Sequence, residues 1–125
     1  ASALCCSFFH LHANATESVT LECQYEKTYD FQTAVTSATT GSKLVVINVL
    51  EGKKIKLKKQ DLGAEFTGLA SDTNFQAEVS YSIGEVTIRE MIDINRYTGA
   101  FENTFGTSKG GLLHFGSCKP VQKKF

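Results

Sequence analysis

Four cysteines, three histidines and a run of lysines are the side chains through which this chain could do chemistry. Cys5 and Cys6 stand beside His10 and His12 in an uncharged N-terminal stretch, whereas Cys23 and Cys118 are 95 positions apart, with His114 close to the second. In an oxidising compartment a pair such as Cys23 and Cys118 forms a structural disulfide; elsewhere it supplies thiolates to a metal or a redox step. Tetrahedral zinc asks for four ligands at close spacings, and the chain has no CxxC or CxC pair. The disulfide is therefore the expectation, with the reactive or metal-binding pair as its alternative. Closing so long a loop constrains the unfolded chain by about 4–5 kcal/mol on the chain-entropy account.

Lys53-Lys54-Ile55-Lys56-Leu57-Lys58-Lys59 holds five lysines in seven residues. Read for function, Lys53, Lys54, Lys56, Lys58 and Lys59 form an anion-binding stripe for phosphate, acidic polysaccharide or lipid headgroups. The plainer reading is a strand with Ile55 and Leu57 turned inward and lysines outward, where they discourage edge-to-edge pairing. The 13 basic residues are matched by 13 acidic ones, and no arginine or aromatic residue interleaves the lysines to stack on bases. A nucleic-acid partner is thus not expected.

His114 lies in Leu112-Leu113-His114-Phe115-Gly116, where alternation sets it opposite Leu113 and Phe115 as a partly exposed strand histidine. A catalytic role would need a nucleophile or carboxylate beside it. Glu90 shares its parity with Ile88 and Ile92, so a regular strand would bury a carboxylate that then needs a partner. A bulge at Glu90-Met91 would turn it outward, and the bulge is the expectation. Asp93 and Arg96 fall on opposite faces and need not pair. No HExxH or GxxxxGK motif is present, and no catalytic residue, metal or cofactor is expected.

Residues 1–15, ASALCCSFFHLHANA, lack any charged residue and end in Ala13-Asn14-Ala15, the small-x-small pattern that signal peptidase accepts. They read as the remnant of a secretory signal peptide, followed by one domain over 16–125; an apolar first element of that domain is the alternative. The Asn14-Ala15-Thr16 sequon straddles the proposed cut and is discarded. Past the cut, two cysteines and one histidine remain, and no stretch is apolar enough to cross a membrane.

The elements that must position these residues are strands. Val19-x-Leu21-x-Cys23-x-Tyr25, Ile55-x-Leu57, Phe75-x-Ala77-x-Val79-x-Tyr81-x-Ile83, Val86-x-Ile88 and Ile92-x-Ile94 alternate with period two. Leu44-Val45-Val46-Ile47 is apolar throughout, as in a strand covered on both faces or one whose outer face meets another element. Glycine turns fall at Glu51-Gly52-Lys53, Ile83-Gly84-Glu85, Tyr97-Thr98-Gly99 and Lys109-Gly110-Gly111. Only Asp61-Leu62-Gly63-Ala64-Glu65 has helix potential, and residues 27–42, the least patterned, read as a loop or a weak strand. The chain is expected to be all-β: an antiparallel meander of about seven or eight strands, closed as a small barrel or a two-layer sandwich.

Ile94-Asn95-Arg96-Tyr97-Thr98-Gly99, Gly116-Ser117-Cys118 and the basic, Phe-terminated tail Lys123-Lys124-Phe125, with Leu21-Glu22-Cys23 near the start, resemble a group of small secreted proteins of Gram-negative bacteria. The resemblance implies periplasmic or secreted placement and says nothing of activity. In this motif Thr98-Gly99 is expected to turn a hairpin, with Arg96 and Phe101 facing across it. The architecture is also similar to that of the periplasmic inhibitors of C-type lysozyme, but their Ser-Gly-x-Arg-Tyr-type loop is not matched by Ser80-Tyr81-Ser82-Ile83-Gly84. The expected role is that of a non-enzymatic, exported binding or envelope-associated module, with an envelope protein or polysaccharide as partner. A hydrolase inhibitor and a small-ligand carrier are the alternatives.

Overall fold

The computed structural model describes residues 15–121. The proposed leader, with Cys5, Cys6, His10 and His12, lies outside the described residues except for Ala15, which opens the first strand; residues 122–125 lie outside as well.

Nine strands follow one another: β1 (Ala15–Asp30), β2 (Val35–Ala38), β3 (Ser42–Leu50), β4 (Lys54–Lys59), β5 (Phe66–Ala70), β6 (Asn74–Ile83), β7 (Val86–Asn95), β8 (Ala100–Thr107) and β9 (Gly110–Pro120). From β4 to β9 each strand pairs antiparallel with the one before, as short turns with little room for crossovers dictate. β1 closes the ring. Its residues 15–24 pair with β3 and its residues 21–30 with β9, so eight strands form a barrel. β2 stands outside the ring, paired to β1 alone at residues 27–30.

The alternating residues of the sequence point into the lumen. Leu21, Cys23, Val45, Ile47, Ile55, Leu57, Phe66, Phe75, Ala77, Ile92, Ile94 and Phe101 make the buried core, and β9 reaches it through Cys118. An eight-stranded ring is just wide enough for side chains to fill. Cys23 and Cys118 are direct partners across β1 and β9, and they form a disulfide with Cα atoms 3.9 Å apart. The proposed joining of the first and last barrel strands is thus present. The Cα separation lies below the usual 4.4–6.8 Å range of such bridges.

Two glycines let the sheet bend hard enough to close. Gly116 sits opposite the point where β1 carries an extra residue, Glu26, between partners Tyr25 and Lys27; a Cβ there would stand 1.9 Å from the Gln24 carbonyl oxygen. At Gly68 on β5 a Cβ would stand 1.8 Å from the Gln76 carbonyl oxygen. Only glycine permits such approaches at barrel corners.

Several expectations need correction. Within residues 27–42 the weak strand is β2, four residues long, but it is a ninth strand, and β1 runs on to Asp30 to make a hairpin arm with it. The bulge at Glu26 resets the inward parity from Tyr25 to Thr28, and this broke the visible alternation. No bulge exists at Glu90-Met91, where β7 pairs without interruption to β6 and β8. β3 is not covered on both sides, since Leu44 is 40% exposed. Residues 61–65 form an irregular connection rather than a helical turn. Arg96 does not face Phe101; it lies over the Phe75 ring and donates to the Ser71 carbonyl, while Phe101 is buried. Among the described residues no helix is long and apolar enough to cross a membrane, which says nothing about strands.

Candidate functional site

The structure divides the lysine stripe. Lys54, Lys56 and Lys58 alternate with Ile55 and Leu57 and lie exposed on the outer face of β4, and Lys53 lies in the preceding 3₁₀ turn with a positive φ of 62°. Lys53 approaches Asp72 at 3.8 Å and Lys56 approaches Glu65 at 3.8 Å, both in solvent. Lys59 departs from the group: it has the parity of Ile55 and Leu57 and is 7% exposed, inside the barrel. Its position two residues after Leu57 was the available signal, hidden by the apparent continuity of the lysine run.

Inside, Lys59 meets two other buried polar residues, Glu90 and Asn103. Its ammonium donates to Glu90 Oε1, donates to Asn103 Oδ1 at 3.2 Å and stands over the Phe105 ring, 4.7 Å from the centroid. Glu90 Oε1 also accepts from Asn103 Nδ2 at 3.1 Å, and Oε2 accepts from the Tyr81 hydroxyl at 2.9 Å. The second Asn103 amide hydrogen goes to the Met91 carbonyl at 3.0 Å. Each charge therefore spends its bonds on the others, and no buried side-chain polar atom among the described residues lacks a partner. Burial, the hydrogen bond to Glu90 and the charge of Glu90 together push the Tyr81 pKa up to about 12.

His114 borders this cluster. It faces inward with its ring stacked on Tyr25 at 5.1 Å and edge-on to Phe105 at 5.3 Å, while Leu113 and Phe115 face outward. Nδ1 lies 2.7 Å from Thr28 Oγ1. Burial lowers its pKa below 6.5 and the Lys59 charge lowers it further, against an opposing pull from Glu90. A hydroxyl on a histidine nitrogen is half of a nucleophile–base pair, yet among the described residues no carboxylate hydrogen-bonds the ring to orient it as a base. Asp93 and Arg96 do not pair: Asp93 accepts from Asn74 at 2.6 Å and Gln76 at 3.0 Å. Among the described residues no group of three or more His, Cys, Asp and Glu converges as metal ligands do.

The exposed candidate lies at the rim, on β1 and β2. Asp30 Oδ1 accepts from the backbone N–H of Gln32 at 2.8 Å and of Thr33 at 3.2 Å, and Ala34 takes a left-handed φ of 57° to complete the turn. Phe31, at the tip, is 51% exposed, stands edge-on to Tyr29 and is tied through its N–H to the Gly111 carbonyl at 3.0 Å. Tyr29 and Lys27 face Leu113 and Phe115 across β9, which extends the apolar surface. All four residues of β2, Val35-Thr36-Ser37-Ala38, are exposed, and its far edge has no strand beside it among the described residues.

Comparisons of the chain with protein-family models, curated proteins and solved structures give no match.

Proposed function

We propose that this chain is a non-catalytic binding module of the periplasm or the extracellular space, which takes up an extended segment of an envelope protein along the free edge of β2. The observation that carries the reading is that edge. Among the described residues it presents unpaired backbone groups, is uncharged over Val35–Ala38, and lacks the lysines, prolines or bulges with which sheets guard their edges. Strand addition draws its affinity from main-chain hydrogen bonds and its specificity from neighbouring side chains. Phe31, Tyr29 and Phe115 supply aromatic anchors of the kind that dominate interface energetics.

Export is supported by the Cys23–Cys118 bridge, which oxidising compartments preserve, and by the Ala13-Asn14-Ala15 pattern. A ligand carrier would need an open lumen, whereas every barrel strand contributes side chains to this one. An enzyme would need groups free to react, whereas Lys59, Glu90 and Asn103 satisfy one another. A hydrolase inhibitor is the same reading with a hydrolase as the captured partner.

The test is capture from an envelope extract by the immobilised chain. The wild type and Lys58→Ala should retain the same partner, whereas Ser37→Lys and Phe31→Ser should lose it. Equal capture by all four would remove the β2 edge from the account. N-terminal sequencing of the exported chain should show cleavage after Ala15, and a mature protein retaining Cys5 and Cys6 would contradict the export argument.

A further inference from the structure

Half-way round the ring from β1, the outer face of β4 to β8 carries charge of both signs in an ordered way. Two rows of register partners cross it: Lys54–Leu69–Gln76–Asp93–Glu102 and Lys56–Thr67–Glu78–Met91–Thr104. Both rows begin on a lysine at β4, and the carboxylates lie beyond β5. The β5–β8 part is a groove of about 390 Å³. Leu69, at its edge, is 60% exposed, and Met91, within it, is 49% exposed.

The charges on the two sides are incompletely used within the chain. Lys54 and Lys58 have no ion-pair partner among the described residues, and neither has Glu102. Asp93 and Glu102 are direct cross-strand partners, an arrangement of like charges that destabilises a sheet unless a cation comes between them. Glu78 is the exception, held by Arg89 at 3.0 Å.

We infer that this face binds a second copy of the chain. A basic ridge beside an acidic groove is complementary to itself under a two-fold rotation, the symmetry that most homodimers adopt. With the axis in the interface plane, parallel to the strands and between β5 and β6, the β4 ridge of each copy enters the groove of the other. Lys54 then faces Asp93 and Glu102 of the second copy, Lys56 crosses Met91 beside Glu78, and Leu69 is covered near the axis. The equal totals of 13 basic and 13 acidic residues leave no net charge to oppose the approach. The β2 edges, on the far side of each barrel, stay open, so the dimer is bivalent for the proposed envelope partner. The inference does not depend on that partner.

Sedimentation and light scattering between about 1 µM and 1 mM test it, across the affinities that such interfaces span. The wild type should pass from monomer to dimer within that range. Lys54→Glu with Lys56→Glu, and separately Glu78→Lys with Glu102→Lys, should each weaken dimerisation about tenfold or more while circular dichroism stays native. Mixed together, the two variants should recover the dimer, because both halves of the heterodimeric interface regain opposite charges. Lys27→Glu with Lys109→Glu, equal in charge to the first variant but placed elsewhere, should still dimerise and should not rescue the second. A wild type that remains monomeric throughout, a dimer indifferent to the reversals, or a mixture that stays monomeric would each overturn the inference.

Discussion

The Lys59 ammonium and the Glu90 carboxylate meet inside the barrel, at 7% and 0% exposure, held in place by Asn103, Tyr81 and the Phe105 ring. A buried pair of this kind is costly to desolvate, and removing one member leaves the other charge stranded. Lys59→Met should therefore destabilise the fold by about 3–5 kcal/mol. Lys59→Met combined with Glu90→Gln should cost less than the sum of the two single changes, because the stranded charge is gone. Urea unfolding, read as a shift in midpoint at unchanged slope, measures both. Strict additivity would mean that the pair is not coupled.

His114 predicts a dependence on acid. Its pKa is lowered in the folded state by burial and by Lys59, so between that lowered value and 6.5 the unfolded chain binds more protons than the folded one. The stability this confers is complete above 6.5 and is lost as the pH falls through the folded-state value. His114→Phe should flatten the decline of stability below pH 6.5. An unchanged slope in the variant would contradict this assignment.

The two faces of each strand were legible in the sequence wherever alternation ran unbroken, as from Phe75 to Tyr81 on β6. The four glycine turns also fall where read, with φ of 76° at Gly52, 61° at Gly84, 77° at Gly99 and 146° at Gly110. What failed was polar residues on apolar parity. Lys59 and Glu90 each continue an inward series, yet a charge alone at such a position argues for solvent or a bulge. Each becomes intelligible only with the other, and they lie 31 residues apart, on strands that the ring brings together across its lumen. The hairpin arm of β1 and β2 was hidden for a different reason, since the extra residue at Glu26 shifts the period of β1 just before its aromatic tip.

Glycine substitutions should separate the corners of the barrel from its loops. Gly68→Ala sets a Cβ against the Gln76 backbone and should cost at least the roughly 1–3 kcal/mol of an overpacked core. Gly63→Ala meets nothing within 4 Å and should leave stability unchanged or raise it by up to about 1 kcal/mol. Thermal unfolding of the two variants should rank them far apart, and similar midpoints would mean that β5 is not held so closely to β6.

The bridge should be present in the exported protein. Alkylation without reductant, followed by intact mass, should find Cys23 and Cys118 unmodified, and Cys23→Ser should cost about 2–5 kcal/mol. Two alkylated thiols would undercut both the compartment and the covalent closure of β1 on β9.

The central claim, that the β2 edge and its aromatic tip are where a partner docks, is tested most directly by a photo-crosslinking residue at position 31 in the cell. It should yield one discrete adduct, whereas the same residue at position 87, on exposed β7, should not yield that adduct. No adduct from position 31, or the same adduct from both positions, would contradict the account.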